Sequence, residues 1–270
     1  MTVPGQRGVA LGIVLWFLAG MSLLVSGIVY QARIDTRMAQ LHLARATTVS
    51  AGDGAILLML ADLVSRNPEQ SSKIGPISGS FVMGQQTVSV SMVPAAGLVN
   101  LNGASGGTLA RLFAMRGQLN NAEAKTLADN MIKWRGKPGG SGVNEPGGKF
   151  QSPEDVLQVA GITRPLWDAI RDTVVVDNKL FTAEPDLAVA PDAVRAIFGA
   201  SATGPRLVAN GTGQRQAEAG LAGSYRVDAV VSYGGRSWLR RKWVDMGSNS
   251  TTLLPWSFTR VEAPRVLPGN

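Results

Sequence analysis

The chain has 270 residues, of which 45% are hydrophobic and 17% charged, and this balance is typical of a folded protein with one large domain or two small ones. Its formal charge of +7 is compatible with nucleic acid, anionic lipid or acidic protein partners and does not choose between them. The absence of cysteine excludes disulfides, thiolate chemistry and cysteine-based zinc sites, and the single histidine, His42, leaves little material for histidine-based catalysis or metal binding.

The first element in chain order is an apolar stretch near the N-terminus. No residue from Gly8 to Ala32 is charged, and residues 9–30 would form roughly 33 Å of helix at a rise of about 1.5 Å per residue. A secretory signal peptide would have a shorter apolar region followed by an Ala-x-Ala-like cleavage site, and "VSGIVYQAR" offers only a poor one. The sequence therefore predicts a retained membrane helix.

The same helix is predicted to continue beyond the membrane segment. Apolar residues recur near helical spacing with charged residues between them: Ile34, Met38, Leu41, Val49, Ile56, Met59 and Leu63. The pattern predicts an amphipathic second half that ends at about Arg66, before "NPEQSS". Such a helix suits a subunit packed in the core of a helical fibre, and an ordinary anchor with a juxtamembrane helix gives the same pattern.

The charges that flank the membrane segment give a weak indication of orientation. Arg7 precedes the segment, whereas Arg33, Arg37 and Arg45 follow it. Counting alone would place the C-terminal side in the cytoplasm. Long C-terminal domains are translocated largely regardless of charge, so this rule has little weight here.

The remainder of the chain predicts a sheet and a block of helices. A strand is expected within 80–94, where Val88, Val90 and Met92 alternate with polar residues, and a hairpin is expected around Gly234-Gly235. Between them, helices are predicted in four segments: 106–117, 120–134 with Asn120 or Asn121 as its cap, 152–161 from Ser152 to Gly161, and 163–176 ending in a short strand. A further helix is expected at 190–199, and no periodic pattern follows Gly247.

Enzyme motifs are weak. "GASGG" matches the Gly-x-Ser-x-Gly elbow of serine hydrolases, but Ser105 would need a histidine downstream, and His42 lies upstream. The adjacent carboxylates Glu154 and Asp155 fall in the first turn of a predicted helix, where the helix dipole accounts for them. No phosphate-binding glycine loop is present. We therefore predict no enzyme and no cofactor.

Nucleic-acid binding is the second hypothesis. The second strand of the hairpin combines basic and aromatic residues: Arg236, Trp238, Arg240, Arg241, Lys242 and Trp243. In addition, the segments 99–135 and 156–170 resemble helix-hairpin-helix units. Their hairpins, "MRGQ" and "VAGIT", contain one glycine each, which weakens the phosphate cradle that DNA-binding versions use. A membrane-anchored helix-hairpin-helix DNA-binding protein is thus the alternative, and no nucleic acid is expected as a partner.

Four segments in order carry a family resemblance: "QRGVALGIVLWFLA", "GLVNLNGAS", "IKWR" and "FQSPEDVLQVAGITRPLWDAIRDTVVV". Together, over most of Gly5 to Phe198, they resemble the K-type minor pseudopilins of type II secretion, the general secretion pathway protein K family. The resemblance implies an α+β pseudopilin fold, in which a long N-terminal transmembrane and amphipathic helix packs on an antiparallel sheet that carries a large inserted α-helical domain. The expected division is a leader (1–8), the helix (9–66), the sheet (75–95 plus 205–247), the inserted domain (98–200) and a C-terminal tail (248–270).

The resemblance also implies roles for individual residues. Prepilin peptidase would cut between Gly8 and Val9, and Val9 would become the N-methylated first residue. Ile13 stands where most pilins have a glutamate, a departure that the K-type family shares and that fits a subunit at the fibre tip. Family members often have calcium-binding aspartates after the Trp of the "IKW" segment, where this chain has Arg135 and Lys137. Calcium requires oxygen ligands, so no metal is predicted.

The function implied is that of a minor pseudopilin that helps to initiate and cap the tip of a periplasmic pseudopilus for protein export. Its expected partners are other minor pseudopilins, prepilin peptidase and secreted substrate proteins. Its expected location is the bacterial inner membrane, crossed once, with the C-terminal domain in the periplasm.

Overall fold

A computed structural model describes residues 7–65, 76–136, 147–180, 182–199, 223–247 and 254–268. The helices are α1 Arg7–Ser65, α2 Gly106–Gly117, α3 Asn121–Gly136, α4 Arg164–Ile170 and α5 Asp192–Ile197. The strands are β1 Ile77–Met83, β2 Gln86–Pro94, β3 Val99–Asn100, β4 Val174–Val175, β5 Gly223–Tyr233, β6 Arg236–Met246, β7 Trp256–Val261 and β8 Arg265–Val266. Short 3-10 helices cover Ala95–Gly97 and Pro153–Gln158.

The long helix α1 is continuous from the apolar stretch into the amphipathic half, as predicted. It has 59 residues and ends at Ser65, one residue before the predicted end. Its last third turns one apolar face inward, at Ala51, Ala55, Ile56, Met59, Leu60 and Leu63. These positions repeat every three or four residues and therefore share one face of the helix.

An antiparallel sheet receives this face of α1. Its strand order is β1-β2-β5-β6-β7, and β8 also pairs with β6. The side chains that pack with α1 come from alternate positions of β2 and β5, chiefly Val88, Val90, Met92, Val227, Ala229 and Val231. The predicted hairpin is confirmed, since Gly234 and Gly235 both have positive φ, as its tight turn requires.

The predicted strand within 80–94 is two strands. β1 and β2 form a hairpin with Met83 opposite Gln86, and Gly84 turns the chain at a φ of 63°. The alternation of β2 was visible in the sequence because its alternate residues are fully buried. β1 is half-buried at best and has the composition "ISGSFVM", so its own pattern is weak.

The C-terminal tail, where the sequence shows no periodic pattern after Gly247, contains two short strands. β7 and β8 lie within the predicted tail (248–270), and both add to the free edge of β6. β7 is six residues long with a register shift opposite Trp243 and Val244, and β8 has two residues. Short, half-exposed edge strands have no regular alternation, which is why the sequence pattern missed them.

A helical layer is inserted between the neighbouring strands β2 and β5. Its core is apolar and fully buried, with Leu101, Leu109, Leu112, Phe113, Met131, Phe150 and Ile170 at its centre. The cap of α3 is Asn120, whose Oδ1 accepts from the Glu123 amide at 2.9 Å while the Asn120 amide donates to Glu123. The α+β class is confirmed, with a long helix on an antiparallel sheet and a helical insertion.

Two details of this layer differ from expectation. The segment after Ser152 is a six-residue 3-10 helix that ends at Gln158, whereas a helix extending to Gly161 was predicted. Asp155 accepts from the Gln151 and Ser152 amides and fixes its start, but Val159 is extended and ends it. The predicted short strand β4 is confirmed, and its parallel partner β3, only two residues long, was not predicted.

Several predictions fall on residues outside the described ranges. These are most of the leader (1–8), the 205–222 part of the predicted sheet, and residues 137–146 of the predicted inserted domain, which include Lys137. Gly8 and Val9 belong to α1, but the structure describes only their backbone.

Candidate functional site

The first two thirds of α1 project away from the rest of the chain. Every side chain described from Ala10 to Leu43 is exposed, including Trp16 at 80% and Leu23 at 76%. By length and composition this helix could cross a membrane, with a most apolar window of mean hydropathy 2.2, none of it buried. An apolar surface of this extent is unfavourable in water, so lipid or another protein must cover it.

The residues singled out from the sequence lie at the start of this surface. Gly8 and Val9 are in the first turn of α1, and Ile13 follows one turn later and is 62% exposed. α1 places these three residues along one apolar terminus. They are not brought together with any other candidate residue in the part of the chain that is described.

The last third of α1 comes very close to the sheet at a glycine. A Cβ built on Gly52 would lie 2.9 Å from the Cβ of Arg240 on β6. Real Cβ atoms do not approach this closely, so only glycine permits this spacing. The position of α1 on the sheet therefore depends on Gly52.

An ion cluster beside Gly52 joins α1 to β6. Asp53 Oδ1 accepts from Arg240 Nε at 2.7 Å and lies 3.1 Å from Lys242 Nζ. Burial alone would raise the pKa of Asp53, but hydrogen bonds from Arg240 and Lys242 lower it below its ordinary value. Arg240 also donates to the Glu262 carbonyl at 2.6 Å, so the cluster joins the helix to the C-terminal strands. Sequence reasoning missed Asp53, because its charge lies on an otherwise apolar face.

A second charge network holds the helical layer on the opposite face of the sheet. Asp228 on β5 accepts two hydrogen bonds from Arg241, at 2.6 and 2.9 Å, and lies 3.0 Å from Arg226 Nε. Asp172, after α4, pairs with Arg241 at 2.8 Å and with Arg265 on β8. Burial opposes charge on Arg241, but Asp228 outweighs it and raises the pKa of the guanidinium. Arg226 is also buried, but its carboxylate neighbours do not outweigh the effect of burial, so the pKa of its guanidinium is lowered.

These contacts account for the basic strand that suggested nucleic-acid binding. Arg240, Arg241 and Lys242 are all paired with carboxylates within the chain. Trp238 and Trp243 are only 6% and 7% exposed, so neither offers a face on which a base could stack. Both faces of β6 are covered, by α1 on one side and by the helical layer on the other.

The glycines of the two helix-hairpin-helix units also face inward. A Cβ on Gly117, at the end of α2, would lie 2.4 Å from Leu166 Cδ1 of α4. A Cβ on Gly161 would lie 2.5 Å from Leu127 Cδ2 of α3. Each glycine therefore permits close packing of one unit against the other, and a phosphate cradle would require the opposite, an open hairpin.

The "NLN" segment of the resemblance is a structural clamp. Asn100 Nδ2 donates to the carbonyls of Asp177 and Leu180 at 2.7 and 2.6 Å. Asn102 pairs with the backbone of Phe150, donating to its carbonyl and accepting from its amide, both at 2.9 Å. These amides satisfy buried backbone groups of two distant loops, which explains why asparagine is needed at both positions.

Arg135 belongs to the same clamp. Its guanidinium donates to the carbonyls of Leu101 and Ala104, at 2.8 and 2.9 Å. Burial lowers the pKa of this guanidinium. No group of three or more potential metal ligands occurs among the described residues.

Ser105, the serine of the elbow motif, caps α2. Its Oγ accepts from the Thr108 amide at 3.1 Å, and the two hydroxyls lie 2.9 Å apart. His42 is exposed on α1. The Gly-rich segment thus leads into the start of α2, in agreement with the helix predicted over 106–117.

No family model and no curated protein matches the sequence. Among solved structures, the chain is similar to a chain of "The Crystal Structure of the GspK-GspI-GspJ complex from enterotoxigenic Escherichia coli Type 2 Secretion System". The identity is 12%, the TM-score is 0.45, and the similarity covers 89% of this chain and 99% of that chain. A likeness at this level assigns no function.

Proposed function

We propose that this chain is a minor pseudopilin of type II secretion, of the K type, that helps to initiate and cap the tip of a periplasmic pseudopilus. It acts without catalysis. One observation carries the proposal: α1 is a single helix whose first part is apolar and uncovered and whose last part is fixed to a sheet. Such a helix can leave a membrane and enter a fibre core without changing its attachment to the folded domain.

The order of the sequence segments supports the same assignment. The apolar run begins directly after Gly8, which suits cleavage between Gly8 and Val9 by prepilin peptidase. Before assembly the chain would cross the inner membrane once, with its folded domain in the periplasm. Its partners would be other minor pseudopilins along α1 and the sheet, and secreted proteins at the helical layer.

Two features support the tip position. Ile13 provides no carboxylate for the amine of a neighbouring subunit, and a carboxylate without a partner in hydrocarbon is costly. The inserted helical layer adds bulk to the folded domain, which would hinder addition of a further subunit above it. The alternative, a DNA-binding protein, is disfavoured by the inward-facing hairpin glycines and by the paired charges of β6.

The decisive experiment is mass spectrometry of the mature N-terminus, from cells that contain a prepilin peptidase. We expect a chain that begins at N-methylated Val9, and we expect Gly8→Ala to leave the precursor uncut. Gly12→Ala is the matched control, because Gly12 is a nearby glycine of the same helix with no atom near its Cβ position. A wild-type chain that begins at Met1, or that is cut after the apolar stretch, would contradict the assignment.

A further inference from the structure

Two arginines directly follow the uncharged stretch of α1. Arg33 and Arg37 are one helical turn apart and therefore share a face of the helix. With Val29, Ala32 and Thr36 they line one shallow surface pocket, and all five residues are exposed. The pocket thus has an apolar floor towards the uncharged stretch and two cations at its other end.

Neither guanidinium is neutralised by a carboxylate in the part of the chain that the structure describes. Among the described residues, no ion pair involves Arg33 or Arg37. The nearest acid in sequence, Asp35, accepts a hydrogen bond from Gln31 at 3.1 Å, and it lies on the opposite side of the helix. Two exposed cations on one face are therefore available to an external anion.

The position of the pair along the helix indicates which anion this is. If residues 9–30 fill a hydrocarbon core about 30 Å thick, Arg33 lies about 5 Å beyond its edge and Arg37 about 10 Å beyond. The headgroup layer occupies this depth, and a flexible arginine reaches several ångströms along the helix. Both guanidinium groups therefore lie at the level of the lipid phosphates.

We propose that Arg33 and Arg37 bind the phosphate of an anionic phospholipid, in the leaflet at the C-terminal end of the membrane segment. A guanidinium donates two parallel hydrogen bonds to phosphate oxygens, and the two arginines present two such forks one turn apart. Val29 and Ala32 contact the glycerol and upper acyl region below the phosphate. Counting of flanking charges would place Arg33 and Arg37 in the cytoplasm. The proposed site accounts for their position outside it, since lipid phosphate neutralises both arginines in this leaflet.

This inference rests on the membrane-anchoring part of the proposed function and is independent of the role in secretion. The test uses the full chain in vesicles of equal phosphatidylglycerol and phosphatidylcholine, extracted in mild detergent for native mass spectrometry. We expect the wild type to retain phosphatidylglycerol over phosphatidylcholine. The Arg33→Gln/Arg37→Gln variant is expected to lose this preference, by about fivefold for each arginine removed.

The matched control is Arg45→Gln, an exposed arginine about 12 Å beyond Arg37 along α1, which is expected to keep the preference. Equal retention of the two lipids by the wild type, or an unchanged preference in the double variant, would overturn the inference. Loss of the bound lipid in excess inorganic phosphate would assign the site to free phosphate and overturn the lipid assignment. A preference that persists in phosphate supports it.

A carbonate wash of the membranes separates this inference from the proposed function. A wild type that stays in the membrane but shows no lipid preference contradicts only the arginine site. A wild type that the wash removes contradicts the anchor itself, and with it the proposed function.

Discussion

At the scale of single residues, Asp53 is the carboxylate on which the attachment of α1 depends. Arg240 and Lys242 both point to it, and their side chains are largely buried, so its removal leaves two cations without their partner. We expect Asp53→Asn to lower the free energy of unfolding by about 1–3 kcal/mol. Urea unfolding of the full chain in detergent, followed by tryptophan fluorescence, measures this.

Asp129→Asn is the matched control for this substitution. Asp129 pairs with Lys125 at 3.2 Å on the surface of α3, and both side chains are more than half exposed. A pair of this kind contributes little, so a change within about 0.5 kcal/mol is expected. Equal effects of the two substitutions would show that the Asp53 cluster does not stabilise the chain.

The pKa of Asp53 predicts a dependence on pH. In the folded chain this pKa is lower than in the unfolded chain, where it is about 3.9. The stabilisation is therefore complete above about pH 4 and is lost as the pH falls towards the folded-state value. We expect the difference in unfolding free energy between wild type and Asp53→Asn to shrink below about pH 4, and unfolding curves at several pH values check this.

At the scale of elements, the packing of α1 on β6 depends on the missing side chain of Gly52. A leucine there has to displace Arg240, whose Cβ is fixed to the strand backbone. We expect Gly52→Leu to destabilise the chain by about 2–3 kcal/mol and to weaken the Asp53 cluster beside it. Chemical unfolding gives the first value.

Gly27→Leu, in the same helix, is the comparison for Gly52→Leu. No atom lies within 4 Å of a Cβ at Gly27, so the larger side chain meets no neighbour and no loss of stability is expected. Since leucine has a higher helix propensity than glycine, a comparable loss at both glycines would show that contact with Arg240 does not explain the effect at Gly52.

Elements with a strong local signal could be predicted from the sequence. α1 has an uncharged stretch and then a helical period, and the β5–β6 hairpin has two glycines between alternating strands. β3, β7 and β8 could not be predicted, since each is short and depends on pairing with residues far away in the chain. The segment after Ser152 had correct capping residues, but its length is set by the loop that Val159 enters.

The ion clusters of the candidate site could not be predicted from the sequence for the same reason. The start and the extent of the apolar helix could be predicted from the composition of the sequence. Asp53, Arg240 and Asp228 could not, because their partners lie up to 187 residues apart and only the fold brings them together. The basic residues of β6 suggested a binding surface in the sequence, whereas in the structure Arg240, Arg241 and Lys242 are paired with carboxylates of the chain.

At the scale of the whole molecule, Ile13 tests where the chain stands in the proposed fibre. A carboxylate at this depth in lipid or in a fibre core costs about 2–3 kcal/mol unless it finds an amine. We expect Ile13→Glu to lower the recovery of this chain with its proposed minor pseudopilin partners several-fold, and Ile13→Leu to leave it unchanged. Co-purification from membranes measures both, and equal recovery of the two variants would contradict a tip position.

The place at which the helical layer is inserted allows this layer to be replaced while the sheet is kept. Pro94 and Tyr225 face each other across β2 and β5, so the chain leaves the sheet and returns to it at the same place. An insertion whose two ends lie at the same place in the sheet can be exchanged or enlarged without a change in strand order. Its removal would expose Arg226, Asp228 and Arg241 to water. The face of the sheet opposite α1 therefore carries a network of charged residues, and any other insertion at this place would have to cover it.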